Sequence, residues 1–295
     1  MKTTSIPPSP SPPLPPPSLS AAPEVTLPAV LTTPAERYNG TRVNWRGLAT
    51  LCSRESRRFL SIAGQTVIGP VVSALLFLAI FTFALGRSGI GPLGFSYTAF
   101  LIPGLVMMSV MQNAFANTSS SLMTAKFQGN IVDLLMPPLG PAEILVGLVT
   151  GGVVRGLVVA AVAFLALSAF QPLGLAHPLV AFWFALMASV LLGLLGVLSG
   201  LWAEKWEQAA VVTNFVIVPL SFLSGTFYSV SSLPDNWRWL AFWNPFFYMV
   251  DGFRYGVLGV HESSLRTGVV LLLAANFALF FALWLLMRRH WRLWD

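Results

Sequence analysis

The sequence lacks charge over long stretches. Only 9% of its 295 residues are Asp, Glu, Lys or Arg, against about 25% in a typical soluble domain. None of the four occurs in the runs from Phe59 to Gly86, Ser88 to Ala125, Gly156 to Ala203, Gln208 to Pro234 and Thr267 to Met287. Because roughly 20 residues of helix cross a hydrocarbon core of about 30 Å, these runs predict an integral membrane protein.

Cysteine and catalytic motifs are equally scarce. The single cysteine, Cys52, excludes a disulfide within the chain and a CxxC metal site, and His177, His261 and His290 lie without ligand spacing. The sequence contains no G-x-x-x-x-G-K-[ST] phosphate loop, no HExxH and no paired carboxylates within the apolar runs. We therefore expect neither an enzyme nor a bound metal or cofactor, and energy for any transport would come from elsewhere.

The first 40 residues differ from the rest. Eight of the eleven positions from Pro7 to Pro17 are proline, a composition that favours polyproline II and cannot form a core. No continuous apolar run follows Lys2, so we expect no signal peptide. These features predict a disordered cytosolic tail over residues 1–40 and a single membrane domain over residues 41–295.

The pattern of that domain predicts an all-α integral membrane fold. A basic helix over 44–61 is expected to lie in the cytoplasmic interface. Its apolar face, which Glu55 interrupts, consists of Trp45, Leu48, Leu51, Cys52 and Phe59. Six spans follow at about 66–86, 97–117, 144–169, 179–202, 209–228 and 267–287. If both termini are cytosolic, twelve Lys and Arg residues lie inside and four outside, which is the expected bias.

Two segments indicate a particular protein family, which the overall composition does not. Residues 222–259 read FLSGTFYSVSSLPDNWRWLAFWNPFFYMVDGFRYGVLG, and residues 125–147 read AKFQGNIVDLLMPPLGPAEILVG. Both resemble the ABC type-2 permease family, the membrane subunits of bacterial exporters driven by a separate ATPase. The pattern SG-x-FY, LP, NP-x-x-Y and D-G-x-R-Y carries the resemblance, which covers about residues 45–290. The segments GFSYTAFLIPGLVMMSV, ANTSSSLMTAKFQGN and GGVVRGL are most similar to its YadH-like branch.

The resemblance implies a six-span half-transporter of the bacterial inner membrane. It would pair with a second copy and with two cytosolic ATPase subunits, which would bind the ATP and Mg²⁺. A coupling helix after span two would dock on the ATPase, assisted by the basic helix at 44–61. Residues 230–259 would form an outward-facing re-entrant helical pair, broken at Asn244–Pro245, with aromatic side chains at the outer interface.

The candidate site residues fall into two groups. Those expected to contact the ATPase are Lys126, Phe127, Ile131, Asp133, Leu134, Leu135, Met136, Arg54, Arg57 and Arg58. Those expected to line the pathway or gate are Arg155, Asn214, Tyr228, Asn244, Asp251 and Arg254.

Several alternatives remain open at this point. Arg155 is a charge within a span and has two interpretations. In the functional one it contacts an anionic substrate or stabilises the dimer gate. In the structural one it pairs with Asn214, Asp251 or a backbone carbonyl. Asp251 and Arg254 can pair along one helix. Two small-residue pairs, Gly152/Gly156 and Gly196/Gly200, pack within one bundle or across a dimer. Alternative functions are an ion-coupled secondary carrier, an intramembrane enzyme and a non-transporting scaffold, and the substrate is not readable.

Overall fold

The computed structural model of the chain describes residues 43–85, 92–129 and 139–289. The predicted N-terminal tail and most of the predicted coupling helix lie outside these ranges. The described part is all-helical and contains no strand. Its helices are α1 Trp45–Ser61, α2 Ala63–Leu85, α3 Tyr97–Phe127, α4 Pro141–Ser168, α5 Pro178–Trp202, α6 Trp206–Val212, α7 Val218–Phe222, α8 Asp235–Trp243, α9 Pro245–Leu258 and α10 Leu265–Arg289.

Five of these helices, α2, α3, α4, α5 and α10, are long and apolar enough to cross a membrane. The helix α3 differs from its prediction because it continues to Phe127 rather than ending near residue 117. Beyond the predicted end of the second span, Ser119, Ser121 and Leu122 are buried in the bundle. The serine hydroxyl groups can be buried because a helix side chain can bond to a carbonyl or to a neighbouring helix, as Ser121 does to Glu55.

The predicted fifth span, 209–228, is not one continuous helix. A π turn over Thr213–Ile217 joins α6 to α7, and the Val218 N–H bonds to the carbonyl of Thr213, five residues back. This wider turn immediately precedes Pro219, whose ring would crowd the carbonyl four residues earlier in a regular helix. The helix ends at Phe222, and the following loop is buried from Ser224 to Phe227. The prediction of helix up to residue 228 was therefore wrong.

The centre of the bundle is α3, which packs against α2, α4, α5 and α9. Glycines allow these close approaches. A Cβ atom at Gly196 of α5 would lie 2.5 Å from the Phe115 carbonyl of α3, and one at Gly152 of α4 would lie 3.0 Å from the Ala114 carbonyl. Small residues let helix backbones approach closely in a membrane protein. Gly152, Gly156, Gly196 and Gly200 all face neighbours within this chain, so both small-residue pairs pack inside the bundle.

The helix α1 packs along the first turns of α4. Leu51 lies against Gly147, and Glu55 lies against Gly151 one turn further along both helices. The buried side chains of α1 are Leu51, Glu55 and Phe59, spaced four residues apart on one face. The expectation that Glu55 interrupts the buried face was wrong, because its carboxylate accepts a bond from Ser121 Oγ at 2.7 Å. Trp45, placed on that face from sequence, is 73% exposed.

The last part of the chain folds a helix pair onto the bundle. Asn244 separates α8 from α9 and caps α9 by accepting a bond from the Phe246 N–H at 3.0 Å. The helix α9 is almost wholly buried against α5 and α3. A Cβ at Gly256 would lie 2.5 Å from the Ala181 backbone nitrogen, so only glycine fits this contact. The helix α8 instead exposes Trp237, Trp239 and Trp243.

Candidate coupling and translocation sites

Hydrogen bonds and a ring contact hold the C-terminal end of α3 against the end of α5 and the start of α6. Lys126 Nζ donates to the carbonyls of Leu201 (2.7 Å) and Ala203 (3.2 Å). A cation is favourable there because the last carbonyls of a helix carry partial negative charge. Phe127, 47% exposed, stacks on Trp206 with ring centroids 5.7 Å apart. Lys126 therefore serves the fold as well as any docking surface.

The chain is fastened again where α4 begins. Leu139 and Gly140 are buried. One carboxylate, that of Glu143, accepts the Asn44 N–H on Oε1 and the Gly140 N–H on Oε2, both at 2.6 Å. It thereby joins the start of α1 to the start of α4. The predicted docking residues Ile131, Asp133, Leu134, Leu135 and Met136 lie outside the described residues, between these two fastened ends.

The three arginines of α1 in the predicted ATPase contact differ in environment. Arg54 and Arg57 are exposed. Arg58 is partly buried, with Nε 3.4 Å from Glu55 Oε2 and Nη2 donating to the Asn117 carbonyl at 2.9 Å. The structure thus leaves Arg54 and Arg57 accessible from outside the chain, while Arg58 holds α1 against α3.

At the opposite end of the bundle, Arg254 is the largest fully buried side chain. Its Nη2 donates to the Gly225 carbonyl at 2.6 Å, and its Nη1 lies 3.6 Å from Glu262 Oε1. The guanidinium carbon sits 4.0 Å above the Phe100 ring centroid, a cation–π contact. Gly225 has φ +73°, a left-handed conformation that glycine adopts without strain, so its carbonyl can point at Arg254.

Asp251 has other partners. Its Oδ1 accepts the Glu262 N–H at 2.8 Å, and its Oδ2 accepts the Ser263 N–H at 2.9 Å and Ser263 Oγ at 2.6 Å. The expected local pair between Asp251 and Arg254 does not form, because Asp251 holds the loop after α9 and Arg254 pairs with Glu262 of that loop. Sequence reasoning missed Glu262, which also accepts Ser229 Oγ at 2.8 Å.

Two further predicted residues bind the same region. Asn244 Nδ2 donates to the Leu220 carbonyl at 2.9 Å, and Tyr228 Oη donates to the Leu223 carbonyl at 3.0 Å. Tyr228, Asn244, Asp251 and Arg254 therefore gather around residues 220–232 and the loop after α9. We call this set, with Glu262, the buried clasp. Most of its bonds go to backbone carbonyls and loop N–H groups, and the Arg254–Glu262 pair joins two side chains, which is a structural arrangement.

Arg155 and Asn214 lie apart from the buried clasp. Arg155 Nε and Nη2 both donate to Asn113 Oδ1, at 3.2 and 2.7 Å. Two of the structural alternatives required Asn214 or Asp251 to be the partner of Arg155, and neither residue is. Asn214 lies in the π turn and is exposed. The structure therefore does not bring the six predicted pathway residues into one site.

The sequence matches a known protein family. The family model described as ABC-2 type transporter matches residues 46–258. The chain belongs to the ABC-2 type transporter family. The match covers α1 to α9 and all of the buried clasp except Glu262.

Curated relatives add the cellular setting of this ABC-2 family member. The chain is 39% identical over 246 residues to the inner membrane transport permease YadH of Escherichia coli K12, covering 83% of this chain and 96% of that protein. The YadH permease of Shigella flexneri matches with the same identity and coverage. The resemblance predicted from the sequence is thus confirmed. The chain is a multi-pass inner membrane protein and a transport permease, which is a non-catalytic class of subunit.

Proposed function

We propose that this permease is the membrane subunit of an ATP-driven exporter. It works as a dimer, and separate cytosolic ATPase subunits that bind ATP and Mg²⁺ supply the energy. The family membership supports the permease role and implies an ABC ATPase partner in general terms. The observation that carries the coupling proposal is the anchoring of the chain on both sides of residues 130–138.

The chain on both sides of residues 130–138 is held by contacts with other helices, which suits a segment that transmits motion. On one side, Lys126 and Phe127 tie the end of α3 to α5 and α6. On the other side, Glu143 ties the start of α4 to α1. A partner that pushes on residues 130–138 would therefore move several helices together, because packed elements shift as rigid bodies. Arg54 and Arg57, exposed on α1, would form a second contact with the partner.

The topology we propose has six crossings with both termini in the cytosol. Besides the five long helices, the fifth crossing in chain order consists of α6, the π turn and α7, completed by the loop of residues 223–229. Non-helical backbone at membrane depth is tolerable when it is packed in protein, and the buried clasp encloses this loop. The helices α8 and α9 then form the re-entrant pair on the outer side, where the exposed tryptophans of α8 suit the membrane interface.

Asn214 supports a pathway or dimer contact near the π turn. An exposed amide on an otherwise apolar helix is unfavourable against lipid tails, and its neighbours Phe215 and Val216 are exposed apolar side chains. A second copy or a water-filled path beside Asn214 would satisfy the amide. Single π turns inside α-helices are frequent at functional sites.

The test of coupling uses two matched leucines. Leu135→Asp changes the proposed docking segment, and Leu175→Asp changes an exposed leucine in the loop between α4 and α5. We expect Leu135→Asp to abolish co-purification of an ATP-binding subunit and export, while Leu175→Asp retains both. Equal co-purification with the two variants at equal expression would overturn the proposed coupling.

A further inference from the structure

Arg155 carries a positive charge that the described residues do not balance. Its two bonds both go to one neutral amide oxygen, Asn113 Oδ1. The described ion pairs are Arg58–Glu55 and Arg254–Glu262, and neither includes Arg155. Its remaining Nη1 donor has no bond and is not enclosed by protein. Among the described residues, therefore, no anion lies beside this partly buried guanidinium group, which reaches the surface of the bundle.

A second arginine lies on the same face of α3. Arg58 Nη2 bonds to the Asn117 carbonyl, and Arg155 bonds to Asn113, one turn away on α3, a rise of about 6 Å. The charge of Arg58 acts on Arg155 with the same sign. Glu55 balances only one of the two cations. Arg58, Arg155, Asn113 and Asn117 thus form a surface of net positive charge, which we call the two-arginine surface.

The position of α1 sets the depth of this surface. The helix α2 has 23 residues, about 34 Å at 1.5 Å per residue, which suffices to cross the hydrocarbon core. In the proposed topology, the junction between α1 and α2 at Ile62 lies towards the inner boundary of the core. Arg58 lies one turn before that junction. Arg155 bonds to Asn113, one turn of α3 away from Asn117, to which Arg58 bonds. Only 13 residues of α4 follow Arg155, about 20 Å of helix, so Arg155 lies in the inner half of the membrane and its long side chain extends towards the headgroups.

Apolar surface follows on the hydrocarbon side of the two-arginine surface. Val162 is seven residues after Arg155 on α4, which places it on the same helix face two turns further into the membrane. It is an exposed large apolar side chain. A molecule with a charged head at Arg155 and an acyl tail along α4 would satisfy both parts of this surface.

We propose that the two-arginine surface binds the phosphate group of an amphiphile in the inner leaflet. Guanidinium groups suit this ligand because their planar donors match phosphate oxygens and are weakly hydrated. The phosphate belongs either to a resident anionic phospholipid or to a transported amphiphile. The assignment to the inner leaflet rests on the proposed topology, whereas phosphate binding at this surface requires neither ATP nor a partner.

The test is native mass spectrometry of the full chain released from nanodiscs. The nanodiscs contain equal amounts of phosphatidylglycerol and phosphatidylcholine. We expect the unmodified chain to retain phosphatidylglycerol preferentially. Arg155→Gln should lower that preference about fivefold, the usual effect of one basic residue near a lipid surface. Arg46→Gln removes an exposed arginine three turns before Arg58 on helix α1 and should lower the preference less, because the contribution of a charge falls off within a Debye length of the lipid surface.

Asn113→Asp provides a second variant that keeps both arginines. It places a carboxylate where the amide oxygen now contacts Arg155, so it should reduce retention as Arg155→Gln does, at the loss of the Asn113 Nδ2 bond to the Ser109 carbonyl. Retention of phosphatidylglycerol by both variants at the unmodified level would overturn the proposal. So would the absence of any preference in the unmodified chain.

A comparison before and after ATP hydrolysis distinguishes a resident phospholipid from a transported amphiphile. The chain is purified from cell membranes with its ATP-binding subunit, and the bound phosphate-bearing molecules are compared before and after ATP hydrolysis. A resident phospholipid stays bound, whereas a transported amphiphile is depleted. Each result supports the site, and a chain that carries no phosphate-bearing molecule in either state contradicts it.

Discussion

Arg254 shows how a single buried charge can be held in place. Its guanidinium group contacts a carbonyl, a carboxylate and an aromatic ring from three different parts of the chain. Burial of an ion is tolerated only when geometry and hydrogen bonds compensate for lost hydration. Arg254 therefore joins the loop after α7 to the loop after α9 and to α3.

Replacing Arg254 with Gln should destabilise the protein strongly. The change leaves Glu262 Oε1 buried and without its cation, a loss of about 3–5 kcal/mol for a broken buried pair. Thermal unfolding in detergent measures the effect. Arg266→Gln, which removes an exposed arginine from the first turn of α10, should leave the midpoint almost unchanged.

The double variant Arg254→Gln with Glu262→Gln supplies the internal check. Removing both charges should cost less than the sum of the single changes, because neither partner is then left unpaired. Additive effects would show that the pair is not coupled.

Residue roles within the buried clasp were only partly predictable. The D-G-x-R-Y motif contains Asp251 and Arg254, and their spacing along a helix suggested that they pair with each other. The actual partner of Arg254, Glu262, follows a left-handed turn at Gly259 that reverses the chain. A sequence does not reveal which carboxylate such a reversal brings into contact.

At the scale of elements, α1 is held by a buried carboxylate as well as by apolar contacts. Glu55 accepts Ser121 Oγ and pairs with Arg58, which in turn bonds to α3. Hydropathy alone treats a glutamate on an apolar face as an interruption. Its partner Ser121 is 66 residues away in sequence, so periodicity within α1 could not predict this contact.

Glu55→Ala should loosen α1 from the bundle. The only cysteine reports the change, because Cys52 is partly buried with Sγ 3.6 Å from Thr150 Oγ1. An unpaired buried polar group costs about 1–3 kcal/mol, so alkylation of Cys52 should become about tenfold faster. Ser53→Ala, an exposed neighbour, should leave the rate unchanged. Equal rates for both variants would contradict the role of Glu55.

At the scale of the whole molecule, the charge-free runs predicted where the long helices lie, because hydrocarbon selects directly for apolar composition. They did not predict which face of each helix is buried. Nor did they predict the π turn before Pro219 or the loop at residue 223. Those features depend on contacts between distant segments and on local crowding at one proline, neither of which average hydropathy records.

The proposed topology can be tested with two equally exposed positions. In a Cys52→Ser background, a cysteine replaces either Phe127 or Leu175, which are 47% and 46% exposed. We expect a membrane-impermeant thiol reagent to label Leu175→Cys in intact cells, and to label Phe127→Cys only after the membrane is opened. Labelling of Phe127→Cys from outside would place the docking segment on the wrong side for an ATPase.

The central position of α3 has a consequence for biosynthesis. This helix is made second among the long helices, yet its partners α5 and α9 leave the ribosome much later. Until then Asn113, Asn117 and Thr118 have no enclosing neighbours, and amides and hydroxyls are poorly accommodated by lipid. The newly made chain must therefore shelter α3, within the insertion machinery or against α2, before the later helices surround it.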